Sequence, residues 1–187
     1  MTLRAGTLAR WAGAASPLFV ALVLCGAGRA EDNAGCAKVV AALQALGNAP
    51  HYHWIVKATS PARRRPMERE QIVIGDAVYM TPDEGRWMRQ QIARTERASR
   101  MADELARSPP ADCRLAGTET LAASEAAAAS ETGDGAPMLV YDFRQGAADK
   151  RIWIGSADGL PHRFTSSEPP VTVTMRVDYA ETAAPLP

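Results

Sequence analysis

Apolar residues first fall into register at Cys36, Val39, Val40, Leu43 and Leu46, a spacing that lines them along one face of a helix. Gly47 and Pro50 end that helix. The period then drops to two, and Tyr52, Trp54 and Val56 share one face of a strand. Residues 71–74 and 77–80 keep β character around a tight turn at Gly75-Asp76, and a second turn at 82–85 leads into Arg86-Trp87-Met88. A second helix is predicted over 90–107, where Ala98, Met101, Ala102 and Leu105 recur at helical spacing and Ser108-Pro109-Pro110 stop it. Cys113 opens a strand that runs to Thr120. In the last third Leu139, Tyr141 and Phe143 alternate, followed by Ile152 and Ile154. Val171, Val173, Met175, Val177 and Tyr179 come next, with Thr172, Thr174, Arg176 and Asp178 on the opposite face. Turn signals at Gln145-Gly146 and Asp158-Gly159 separate these strands. Short strands joined by short turns must pair antiparallel, because parallel neighbours need long crossovers. The pattern therefore predicts an α+β fold, one curved antiparallel sheet with two helices packed on its inner face.

Two stretches fall outside this pattern. Residues 1–30 read as an export signal: Arg4 and Arg10 start it, an apolar core follows around 18–24, and Gly28-Arg29-Ala30 offers small residues for cleavage before Glu31. The uncharged run 11–28 is just long enough to span a bilayer, so retention as an anchor is the alternative to cleavage. Either way residues 31–187 form a single domain outside the cytoplasm, read here as a soluble periplasmic protein with no integral membrane segment once the signal is cut. Residues 122–136 are a low-complexity patch of alanine, serine, glycine and acids with no large side chain, which buries little.

Composition narrows the class further. The 187 residues are 47% hydrophobic, but alanine alone supplies 36 of them, so large apolar side chains are sparse. Residues 31–187 carry 18 basic and 21 acidic side chains, a net of −3 that gives no bulk attraction for nucleic acid. Leu24, before Cys25, is too large for a lipidation box, so Cys25 leaves with the signal and Cys36 and Cys113 remain. In an oxidising compartment that pair predicts a disulfide, two unpaired thiols being the alternative. Closing a loop with 76 intervening residues would stabilise the fold by on the order of 4 kcal/mol.

Several features recur in a fixed order. They are Ile72-Val73-Ile74-Gly75-Asp76-Ala77-Val78-Tyr79, Gly85-Arg86-Trp87, the second helix, and Cys113 to Thr120. Val140-Tyr141, Ile152-Trp153-Ile154, Asp158-Gly159-Leu160-Pro161-His162-Arg163 and the closing strand to Tyr179 follow. Over roughly 36–180 this series resembles the LolA-like periplasmic proteins, and the two-cysteine arrangement looks more like their small secreted members than like the lipoprotein carrier. The resemblance implies an unclosed β-barrel wrapped around helices. It further implies a non-enzymatic carrier or binding role for an apolar ligand such as a lipid or a lipoprotein acyl chain. The alternative is a cell-envelope protein that works through protein–protein contacts without a lipid. The segment 122–136 departs from the tight turn expected there, and no ligand-gating residues of the lipoprotein carrier carry over.

The residues themselves offer little catalytic chemistry. No nucleophile elbow, zinc-protease pair, phosphate loop or dinucleotide fingerprint is present, and no cofactor is implied. His51 and His53 share a strand face at a spacing that could hold a metal, with His162 or a carboxylate as the third ligand since no cysteine is free, but surface histidines without metal are the simpler reading. Ser156 and His162 make no presented nucleophile and base. Arg63-Arg64-Arg65 reads as a solvated loop, with contact to anionic headgroups as the weaker alternative. Of the aromatic and thioether side chains, Tyr52, Trp54 and Met175 are the candidates for lining an apolar hollow, since alanine-rich helices such as the one carrying Ala98 and Ala102 leave room beside them. Core filling is the alternative.

Overall fold

The computed structural model describes residues 27–81, 86–121 and 135–185. Most of the export signal, the turn at 82–85 and most of the low-complexity segment lie outside the described residues. The element order is α1 (Ala27–Asn48), β1 (His51–Thr59), β2 (Met67–Ile74), β3 (Ala77–Met80), β4 (Met88–Gln91) and α2 (Arg94–Arg107). Then come β5 (Ala111–Thr120), β6 (Pro137–Gln145), β7 (Ala148–Gly155), β8 (Pro161–Glu168) and β9 (Val171–Asp178).

Among the described residues nine strands join one sheet in the order β4-β3-β2-β1-β9-β8-β7-β6-β5. Every pairing is antiparallel. The chain makes one meander from β1 to β4 and another from β5 to β9, and β1 pairing with β9 welds the two. The edges β4 and β5 do not meet, so the sheet is an unclosed barrel, and α2 carries the chain from one edge to the other. This is the α+β arrangement that the pattern and the resemblance imply.

The stripe of α1 is buried as its spacing requires. Val39, Ala42 and Leu43 pack with Tyr141, Phe143, Ile152 and Ile154 of the sheet and Leu105 of α2. Each large side chain so buried contributes about 1.5–3 kcal/mol. Leu46 and Ala49 belong to a second cluster with Tyr52, Val73, Val78 and Val177. A disulfide joins Cys36 to Cys113 of β5, with Cα atoms 5.1 Å apart, and staples α1 to the edge strand. The approach there is tight: a Cβ on Gly35 would lie 2.9 Å from the Cys113 carbonyl oxygen, so only glycine fits.

Three elements differ from the sequence reading. The first helix is longer, reaching back to Ala27 and through the cleavage position at Ala30. The second starts at Arg94 instead of 90, because 88–91 pair with β3 as an exposed edge strand. Asp76, in the β2–β3 turn, accepts the Arg94 backbone N–H through Oδ1 at 2.8 Å and so caps α2 from a distance. The strand β8 is not visible in the alternation, since Phe164 is the one large apolar side chain in PHRFTSSE. On α2, Ala98 and Met101 are partly buried and Leu105 is buried, but Ala102 faces solvent.

Candidate functional site

Directly paired residues of an antiparallel sheet project to the same side, so the register gives the make-up of the inner face. One row runs Arg69, Val56, Met175, Phe164, Ile152, Tyr141, Leu115 from β2 to β5. Its neighbour runs Met67, Ala58, Val173, Ser166, Lys150, Phe143 from β2 to β6. At the β6–β7 end the helices cover the middle of the rows, where Tyr141, Ile152 and Phe143 are at most 4% exposed, whereas Leu115 at the β5 edge is 57% exposed.

Across β8, β9, β1 and β2 the same rows are differently placed. Val56, Ala58, Met67 and Val173 belong to neither inner-face cluster and stay half-buried. Phe164, Met175 and Trp54 are half-buried at the border, packed on the second cluster, to which α2 contributes no residue. The result is an apolar trough with a floor of strand side chains. One end of it, near Leu46, Ala49 and Ile92, is closed. At the other end a hollow of about 400 Å³ is lined by Ser166, Glu168, Val171 and Val173 and by Pro169 and Pro170 of the β8–β9 turn. The exposed loop carrying Arg63, Arg64 and Arg65 joins β1 to β2 at that end.

The three candidate lining residues lie together in this region but occupy different positions. Trp54 and Met175 are diagonal neighbours, through the pairs Trp54–Val177 and Val56–Met175. Tyr52 is only 6% exposed and stands behind Trp54, with ring centroids 6.0 Å apart in an edge-on contact. Burial pushes the Tyr52 phenol above its ordinary pKa, against the opposing influence of Arg97 and of the Gln71 amide that donates to its oxygen at 3.5 Å. Burial raises Tyr179 as well, helped by the Asp158 carboxylate and by Tyr52. Both remain neutral phenols at physiological pH, so neither supplies a base.

The sequence reading missed four contributors to the floor or its support. Val56 and Val173 are legible, since they share strand faces with Trp54 and Met175. Phe164 went with the unrecognised β8. Arg97 gave no signal: only 9% exposed, it donates to the carbonyls of Gly75 (2.9 Å), Ile92 (3.0 Å) and Ala49 (3.1 Å). It thereby ties α2, the β2–β3 turn and the end of α1 together. Gly75 holds φ +59°, which presents its carbonyl at that turn without strain.

Most of the remaining chemistry is on the outer face. His53 Nε2 lies 2.6 Å from Glu70 Oε1 there, whereas His162, edge-on to Tyr179 at 5.4 Å, has its Nε2 3.0 Å from Asp158 Oδ2. No group of three or more metal-ligating side chains forms among the described residues. Asp142 and Arg151 form a two-point ion pair at 2.6 and 3.0 Å, which holds the Asp142 carboxyl below its usual range. Trp153 is buried on this face with Leu121, Met138 and Val140, and its Nε1 donates to Glu119 Oε2 at 2.7 Å. No described helix is long and apolar enough to cross a membrane.

No family model matches the sequence, and no curated protein matches it. Among solved structures the chain is similar to the lipoprotein LppX of Mycobacterium tuberculosis, at 11% identity and a TM-score of 0.49. That match covers 81% of this chain and 98% of LppX. It is also similar to LprF of Mycobacterium bovis (8% identity, TM-score 0.39, covering 82% of this chain and 96% of that one). A third is a LolA superfamily protein of Nitrosomonas europaea (8% identity, TM-score 0.32, covering 79% and 91%).

Proposed function

We propose that this protein is a non-enzymatic periplasmic carrier or binding protein for an apolar ligand, of the size and chemistry of a lipid acyl chain. The observation that carries this reading is the trough. Seven apolar side chains on adjacent strands, Trp54, Val56, Ala58, Met67, Phe164, Val173 and Met175, remain half-buried on a face whose continuation under the helices is fully packed. Covering such a surface with a chain of methylenes gains about 0.8 kcal/mol for each group buried. Trp54 and Met175 touch the ligand, and Tyr52 backs the Trp54 ring. Residues 1–30 supply the export signal.

The test is a titration with a fluorescent fatty-acid analogue. Saturable binding is expected, and Trp54→Glu should weaken it at least about tenfold while thermal unfolding stays cooperative. Absence of saturable binding for any lipid or lipopeptide would refute the reading.

One feature favours a second reading, contact with another envelope protein. Leu115, on edge strand β5, is 57% exposed beside a hollow of about 450 Å³ that also reaches Lys38 and Tyr141. Recovery of a stable protein partner from envelope extracts, with no lipid in mass spectra of the purified protein, would support that role instead.

A further inference from the structure

Among the described residues two cations stand in the inner-face rows, Arg69, exposed on β2, and Lys150 on β7. Lys150 stands on the inner face in the row Val173, Ser166, Lys150, Phe143, where the open floor meets the part covered by helices. Its side chain is half-buried. Nζ donates to Gln145 Oε1 at 2.7 Å, and Gln145 in turn donates to the Ser108 carbonyl at the end of α2. Among the described residues no carboxylate lies within ion-pair distance of Nζ. The nearby Glu104 is engaged by Arg107 at 2.8 Å. Glu168, two residues beyond Ser166 on β8, is exposed and makes no ion pair with it.

An ammonium has three donors, and here one neutral amide takes a single one of them. Desolvation lowers the Lys150 pKa, with Glu104 acting in the other direction. Lys150 lines a hollow with Phe143, Asp149 and Arg151, and its strand partner Ser166 lines the adjoining hollow with Val173, toward the end where the arginines at 63, 64 and 65 lie.

Building on the carrier reading, we propose that the ligand is an anionic amphiphile, with its carboxylate or phosphate head at Lys150 and Ser166 and its chain along Phe164, Met175, Val56 and Trp54. Lys150 supplies the charge-assisted hydrogen bonds, and the Ser166 hydroxyl supplies one more donor. The chain then runs away from the head over side chains that offer no polar partner. Orientation follows from this placement: the head lies at the open end of the trough and the methyl terminus at the end closed by Leu46 and Ala49.

The experiment compares palmitate with its methyl ester in the purified protein with its disulfide intact. Palmitate should bind about tenfold more tightly than the ester. Lys150→Gln should remove that difference by weakening palmitate alone, and Lys150→Arg should keep most of it. Excess acetate should not displace palmitate, because the head alone gains nothing from the floor. Equal binding of palmitate and ester, or a preference that survives in Lys150→Gln, would overturn the assignment while leaving the carrier reading intact. Displacement by acetate would overturn it in favour of a simple anion site. Failure of both palmitate and ester to bind would remove the carrier reading itself.

Discussion

Single side chains in this protein divide sharply between those that hold the fold and those left with surface to spare. Arg97 belongs to the first kind: three carbonyl acceptors on three different segments converge on its guanidinium. Replacing it with methionine strands those acceptors, and chemical denaturation should show a loss on the order of 3 kcal/mol. Val173 belongs to the second kind. Val173→Glu places a charge on the open floor rather than in packed core, so it should cost less than about 1 kcal/mol of stability and still reduce acyl-chain binding severalfold. A large loss of stability would show that Val173 is core. On the outer face, Asp142 titrates below the ordinary carboxylate range because of Arg151. Its contribution is therefore present above the unfolded carboxylate value near pH 4 and fades as pH falls through the lower folded value. The stability difference between wild type and Asp142→Asn should shrink toward zero on acidification over that range, and because the pair is partly solvent-exposed the difference at neutral pH should be under about 1 kcal/mol.

At the scale of elements, the disulfide is the most direct device. It connects segments 77 residues apart and fixes α1 on edge strand β5. Cys36→Ser with Cys113→Ser should lower stability by about 2–5 kcal/mol, measured as a shift in the denaturation midpoint, and an unchanged midpoint would mean the staple is redundant. The sequence announced this pairing through cysteine count and compartment alone. It also announced α1, β1 and β9 through the period of their apolar residues, and the β2–β3 hairpin through the turn at Gly75-Asp76, although Ile72 with Val73 and Val78 with Tyr79 are buried on both faces. It hid β8, whose Ser166, Ser167 and Glu168 sit where the trough opens and where no apolar side chain is demanded. The start of α2 was hidden for a related reason. Residues 88–91 are exposed on both faces, and only their hydrogen bonds to β3 make them a strand. Of the residues proposed to line the trough, strand period picks out Trp54 and Met175. Lys150 and Phe164 become neighbours of these only through pairings between β7, β8 and β9 that no local pattern encodes.

For the whole molecule, what matters is that two narrow helices cannot cover nine strands. The covered region around Ile152 and Val39 is closed to solvent, whereas the weld between the two meanders, β9 against β1, leaves apolar side chains half-buried. Trp54 reports on that weld directly. Quenching of its fluorescence by a fatty acid brominated along the chain requires van der Waals proximity between bromine and indole. The protein should show saturable quenching with increasing brominated palmitate, and Trp54→Phe should abolish that component while retaining cooperative unfolding. Quenching that is absent, or that persists unchanged in Trp54→Phe, would contradict a ligand lying in the trough.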